Sequence, residues 1–228
     1  MLYYDMLYIL PALILTLIAS AAVKTTYARY AKVHSASGIT ASAAARRILD
    51  ANGLSHIRIE SIAGNLTDHF DPQAGVIRLS DTVRDSTSIA AIGVAAHECG
   101  HAIQYAKQYA PIRIRAAIIP ATNISSRLAV PLVLIGSALS FYARGLLALA
   151  YAGIILFSIC VLFQLITLPV EFNASRRARQ MMASEGILSE GEVAGAGKVL
   201  NAAAMTYVAA LATSVLQLIR LIGLARRD

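Results

Sequence analysis

Ala95-Ala96-His97-Glu98-Cys99-Gly100-His101 is the stretch around which the rest of the chain is organised. His97 and His101 are four residues apart, so on an α-helix they project from one face, one turn apart. Two imidazole nitrogens placed in this way can meet one Zn²⁺ at roughly 2.0–2.1 Å. Glu98 is rotated around the helix from both, beside the coordination position that two histidines leave open. From there it can take a proton from a water that Zn²⁺ has acidified toward a pKa of about 7. Two neutral ligands and a base on one helical turn are the parts that H-E-x-x-H metal hydrolases need.

A five-residue pattern arises by chance, so its surroundings matter. Ser88-Ile89-Ala90-Ala91-Ile92-Gly93-Val94-Ala95-Ala96 precedes the histidines and Ala102-Ile103 follows them, an apolar helix built of small residues. Two histidines and a carboxylate inside such a helix are costly to bury unless something binds them. Cys99, two positions after His97, points away from the histidine face and reads as core packing. Cys99 and Cys160 are too few for a disulfide framework, which is compatible with a reducing compartment.

The chain has 228 residues, of which 57% are hydrophobic and 14% charged. Soluble domains run near about a quarter charged, so this composition points to a membrane protein. Residues 7–23 are uncharged and long enough to span once the preceding residues contribute. Asp5 precedes this run and the basic residues follow it, the reverse of a cleaved signal peptide. Lys24, Arg29 and Lys32 lie beyond it and place that end in the cytoplasm by the positive-inside rule. Residues 128–142 are apolar but short, and can borrow 118–124. Arg144-Gly145 breaks the run, and 146–170 is a clear second arm of a hairpin. Arg176, Arg177 and Arg179 then mark the cytoplasmic side again. Residues 199–223 are long and apolar but carry Arg220, and Arg226-Arg227 follow; as a span running outward they would violate the charge rule, so they can either span or lie at the interface.

Between the spans, 38–127 reads as a small mixed domain. Thr40 or Ser42 caps a helix over 41–51 that Asn52-Gly53 closes. Residues 56–62 alternate as a half-buried strand, 69–75 carry turn chemistry, and 76–80 form a second strand. That second strand, just before the histidine helix, could offer an open edge to an extended peptide or close a plain hairpin. Asp68 and His69 read as solvated turn residues. Ser86 or Ser88 caps the histidine helix, which is expected to run to about Tyr109 and stop before Pro111. Residues 116–126 are expected to approach the membrane along its interface. The net charge of +7 belongs mainly to the membrane flanks, and no basic patch with interleaved aromatics is present, which argues against nucleic acid as a partner.

The runs Leu66-Thr67-Asp68-His69-Phe70-Asp71-Pro72, Ile77-Arg78-Leu79-Ser80, Gly93 through Gln104, Pro169 through Ala178 and Leu200 through Ala209 together resemble the YugP-like family of bacterial membrane zinc metallopeptidases. The resemblance covers nearly the whole chain. It implies a gluzincin-type site, with His97, His101 and a downstream glutamate that maps onto Glu171 as zinc ligands and Glu98 as the base. A more distant similarity links the chain to the HtpX-type and prenyl-protein membrane proteases, where the glutamate's helix carries an aspartate four residues on. Ser175 stands at that position here, and Asn173 stands where family members often carry aspartate. Glu171 follows Pro169 and is expected in the first turn of a polar helix continuing through Arg176 and Arg177, which are its alternative partners. Glu185, Glu190 and Glu192 are the alternative ligands. Tyr207, Arg176 and His69 are the candidates to steady an oxyanion.

The expectation is a mainly α membrane protein with three to four transmembrane helices and a small α+β zincin-like catalytic domain. Residues 1–23 form the N-terminal span, 24–127 the cytoplasm-facing domain, 128–170 the hairpin, and 171–228 the third-ligand helix with the last apolar helix. The function expected is zinc-dependent endopeptidase action on membrane or membrane-proximal protein or peptide substrates, from the bacterial cytoplasmic membrane with the site facing the cytoplasm. A non-catalytic adaptor or chaperone stapled by zinc is the alternative. It would need a closed site of four ligands, usually rich in cysteine, and Cys99 alone does not supply one. Iron on the same ligands for redox chemistry would leave Glu98 without a task.

Overall fold

The computed structural model describes residues 2–140 and 142–226. Met1, Phe141, Arg227 and Asp228 lie outside the described residues. The chain divides into two units. One comprises Ser20–Ile112 and Pro169–Met205 and holds the histidine helix; the remaining described residues form the other.

In the first unit, α2 (Ala41–Ala51) starts where the Thr40 hydroxyl accepts the Ala43 N–H, and Ser42 is not the cap. Ala41, Ala44, Ala45, Ile48 and Leu49 recur at helical spacing and are all buried. Gly53 ends the helix at φ +72°, a conformation that costs glycine little. Three strands follow: β1 (Arg58–Ile62), β2 (His69–Asp71) and β3 (Val76–Ser80), in the order β1-β3-β2. β1 runs parallel to β3 and β2 antiparallel to it. The expected open edge on the strand before the histidine helix is therefore corrected. β3 is the central strand, paired on both sides, because Val76, Ile77 and Leu79 make it the most apolar of the three and all are buried. The free edges belong to β1 and β2. β2 is itself a departure, since the turn is confined to 72–75. There Asp71 Oδ1 accepts the N–H groups of Gln73 and Ala74, and Gly75 takes φ +63°.

After the single turn α3 (Asp81–Arg84), the histidine helix α4 (Ile89–Ala106) begins at Ser88, whose hydroxyl accepts the Ala91 N–H. It stops short of Tyr109, where Gln108 adopts φ +50°. Residues 116–126 lie in the first half of α5 (Ala110–Ser140), which passes unbroken through Pro120 and Pro131. A 3₁₀ turn at Arg144–Leu146 leads into α6 (Leu147–Ser184), which likewise continues through Pro169. Glu171 thus lies in mid-helix and not in a first turn. Where water is scarce the helix remains the least costly backbone state even with one hydrogen bond missing, so proline does not end it.

With α1 (Leu2–Tyr30) and α7 (Glu190–Ala225), the described residues include four helices long and apolar enough to cross a bilayer. In the second unit, Leu7, Leu13, Leu17 and Ile18 of α1 are all more than half exposed, a surface suited to acyl chains. A Cβ on Gly153 of α6 would lie 2.6 Å from the Ala129 carbonyl oxygen of α5, so these two helices approach through small residues. Arg220 of α7 donates to Asp5 of α1 at 2.6 Å. That partner neutralises the one charge inside 199–223.

Candidate metal centre

α4 and α6 carry the site. Gly100 sets their separation, because a Cβ there would lie 2.6 Å from the Ala174 carbonyl oxygen and 3.1 Å from its Cα. Backbone therefore packs against backbone beside the histidines, and Glu171 is brought within reach although it lies 74 positions from His97. Glu171 Oε2 stands 3.2 Å from His97 Nε2 and 3.6 Å from His101 Nε2. One ligand atom from each of these three residues lies within 4.8 Å of the others. Glu171 is 2% exposed, and the histidine side chains are 17% and 12% exposed, so the carboxylate is sealed while the imidazoles remain reachable.

The outer nitrogens of both rings also have partners. His101 Nδ1 lies 3.0 Å from Gln104 Oε1, and His97 Nδ1 lies 3.2 Å from Ser175 Oγ. Both Nε2 atoms consequently face Glu171. Two imidazole nitrogens and one carboxylate oxygen, converging and largely buried, form a donor set that fits Zn²⁺ and leaves a fourth position open. Ser175, four residues after Glu171 on the same helix, thus brings its hydroxyl to the outer nitrogen of His97. Gln104 was not singled out from sequence. Its position three residues after His101 on one helix face was the available signal.

Glu98 is 8% exposed, and its Oε2 accepts the Phe70 N–H of β2 at 3.0 Å. Burial pushes its carboxyl above the ordinary glutamate range. Phe70 meets Tyr105 of α4 edge to face, with centroids 5.6 Å apart, which pins β2 against the histidine helix. This backbone contact to Glu98 has no signature in sequence, because β2 reaches it by folding back along β3.

Cys99 is fully buried, with Sγ 3.6 Å from the Ala45 carbonyl oxygen, and burial raises its thiol pKa. Asp68 is held by the Ser80 N–H at 2.7 Å and is no free turn residue. His69 Nδ1 lies 2.9 Å from the Thr67 carbonyl oxygen and Nε2 3.3 Å from an Arg78 nitrogen. Arg176 is exposed on α6, and Tyr207 falls on α7 in the other unit. Glu192 caps α7 by accepting from Ser189 N–H and hydroxyl, and its other oxygen accepts the Ala36 N–H. Among the described residues, the convergent histidine and carboxylate group is His97, His101 and Glu171.

A family model described as "Putative neutral zinc metallopeptidase" matches residues 5–226. The chain is 49% identical over 200 residues to the "Putative membrane protease YugP" of Bacillus subtilis (strain 168), covering 88% of this chain and 87% of that protein. No solved structure matches the chain. With the match running almost from end to end and the histidine pair and glutamate convergent within it, the chain belongs to this family of neutral zinc metallopeptidases.

Proposed function

We propose that the protein is a zinc-dependent endopeptidase of gluzincin type, with a zincin-like domain at the cytoplasmic face of the membrane. It acts on peptide bonds of membrane or membrane-proximal proteins. The observation that carries the reading is the meeting of His97 Nε2, His101 Nε2 and Glu171 Oε2, with Glu98 on the histidines' own helix. These three residues would hold the metal. When bound, zinc acidifies water and polarises a peptide carbonyl.

Glu98 is the base. Phe70 N–H holds Oε2 at 3.0 Å, which leaves Oε1 to accept the proton of the attacking water. The same carboxyl then returns that proton to the leaving amine nitrogen. Three protein ligands are one fewer than a closed structural site requires, which favours catalysis over a stapled adaptor.

The test is Glu98→Gln in protein purified in detergent, which keeps size and hydrogen bonding but removes the proton acceptor. Zinc stoichiometry stays at the wild-type value and casein cleavage falls by roughly 10²–10⁴-fold. Unchanged cleavage would remove Glu98 from the mechanism.

A further inference from the structure

Gln104 is fully buried, and the two ends of its amide are not interchangeable. Its Nε2 donates to the Val170 carbonyl at 2.8 Å and to Asn173 Oδ1 at 3.0 Å. A backbone carbonyl only accepts, so the amino end must face α6 and Oε1 must face His101. An amide oxygen also only accepts, so the His101 Nδ1 that lies 3.0 Å from it carries the proton. Nε2 of His101 is then the nitrogen with the free lone pair, and it is the one turned toward Glu171.

The acceptor at position 173 is itself fixed. Asn173 Oδ1 also receives the Arg177 Nε–H at 2.8 Å, so its oxygen faces two donors. The chain of hydrogen bonds thus runs from Arg177 and Asn173 through Gln104 to His101. It ties α4 to α6 at Val170, the residue immediately before Glu171. His97 is held differently. Ser175 Oγ lies 3.2 Å from its Nδ1, and a hydroxyl can donate or accept, so that contact does not choose a tautomer.

We infer that Gln104 is a positioning residue: it fixes the proton of His101 on Nδ1 and fastens the histidine helix to the glutamate helix, so that two of the three metal-binding groups are set before metal arrives. The inference rests on the reading of His97, His101 and Glu171 as a zinc site. Hydrogen-bond partners of this kind change metal affinity when lost, typically by about 10–100-fold.

The full chain, purified in detergent and stripped with a chelator, is titrated with Zn²⁺ against a chromophoric competitor. Wild type takes up one equivalent. Gln104→Met, close in shape but without polar atoms, binds zinc about 10–100-fold more weakly. Gln104→Glu keeps an oxygen toward His101 Nδ1 and, held neutral by burial with its proton on the second oxygen, still donates to the Val170 carbonyl, so most of the affinity returns. Ile103→Ala, a buried neighbour on the same helix, lowers the thermal midpoint without changing zinc affinity. Wild-type affinity in Gln104→Met overturns the inference, and so do equal losses in the methionine and glutamate variants. Should Gln104→Met not fold, Asn173→Ala decides in its place: a loss of several-fold supports the relay, and none overturns it. A wild type that takes up no zinc overturns the site reading itself.

Discussion

Glu171 presents Oε2 to two imidazole nitrogens, whereas Glu98, on the histidines' own helix, meets the Phe70 N–H. Both carboxyls are buried, so what distinguishes them is the partner each faces. Glu171→Ala would leave two histidines to hold the metal. Zinc affinity is expected to fall at least about 10-fold, with no detectable cleavage; full occupancy with normal activity would mean that other residues build the site. Glu98 makes a second prediction, about the metal-free protein. A carboxyl whose folded-state pKa is raised favours folding fully below the ordinary glutamate range, and that contribution drains away as pH rises through the raised value. After chelation, Glu98→Gln should therefore melt at a higher temperature than wild type at pH 7. The two midpoints should converge below about pH 4. A pH-independent difference would mean that the substitution acts by packing. The histidines, Glu98 and the inert Cys99 were legible from spacing alone, because all sit on one helix. Gln104 and the Phe70 N–H were not, since what they do depends on elements that approach only in the folded chain.

α4 meets its neighbours through glycines, and the two contacts differ in kind. At Gly100 an added Cβ would lie 2.6 Å from the Ala174 backbone oxygen, which no side-chain rotation relieves. At Gly93 it would lie 3.3 Å from the Ala196 Cβ, which asks for a shift of a few tenths of an ångström. Replacing glycine by alanine in a helix gains about 1 kcal/mol of propensity at either site. Overpacking costs typically about 1–3 kcal/mol. Propensity should win at Gly93 and lose at Gly100. Gly100→Ala is expected to lower both the thermal midpoint and the zinc stoichiometry, while Gly93→Ala leaves zinc bound; matched zinc contents in the two variants would show that α4 and α6 need not touch. The same scale shows where sequence reading stops. Thr40 and Ser88 were visible as caps because capping is local chemistry. Continuous α5 and α6 were hidden behind Pro120, Pro131 and Pro169, since proline signals a break only where water can take up the freed backbone groups. β2 was hidden for the opposite reason: three residues carry too little pattern, and pairing with β3 creates the strand.

Orientation in the membrane belongs to the whole chain. Lys24 and Arg29 lie toward the end of α1 with Lys32 just beyond it, Arg176, Arg177 and Arg179 lie toward the end of α6, and the proposed topology puts all of them in the cytoplasm. A cysteine placed at Gly145, between α5 and α6, should react with an impermeant thiol reagent added to intact cells, and one at Gly53 should not. The reverse labelling would place the histidine helix outside. The Asp5–Arg220 pair adds a constraint in time. Its members are 215 positions apart, and ribosomes add about 5–20 residues per second, so the carboxylate is made on the order of ten to forty seconds before its guanidinium. Throughout that interval α1 carries an uncompensated charge and has no α7 to dock against. The Asp5–Arg220 contact can therefore close only once α7 is made, and a chain interrupted before Arg220 lacks the guanidinium that Asp5 meets in the folded unit.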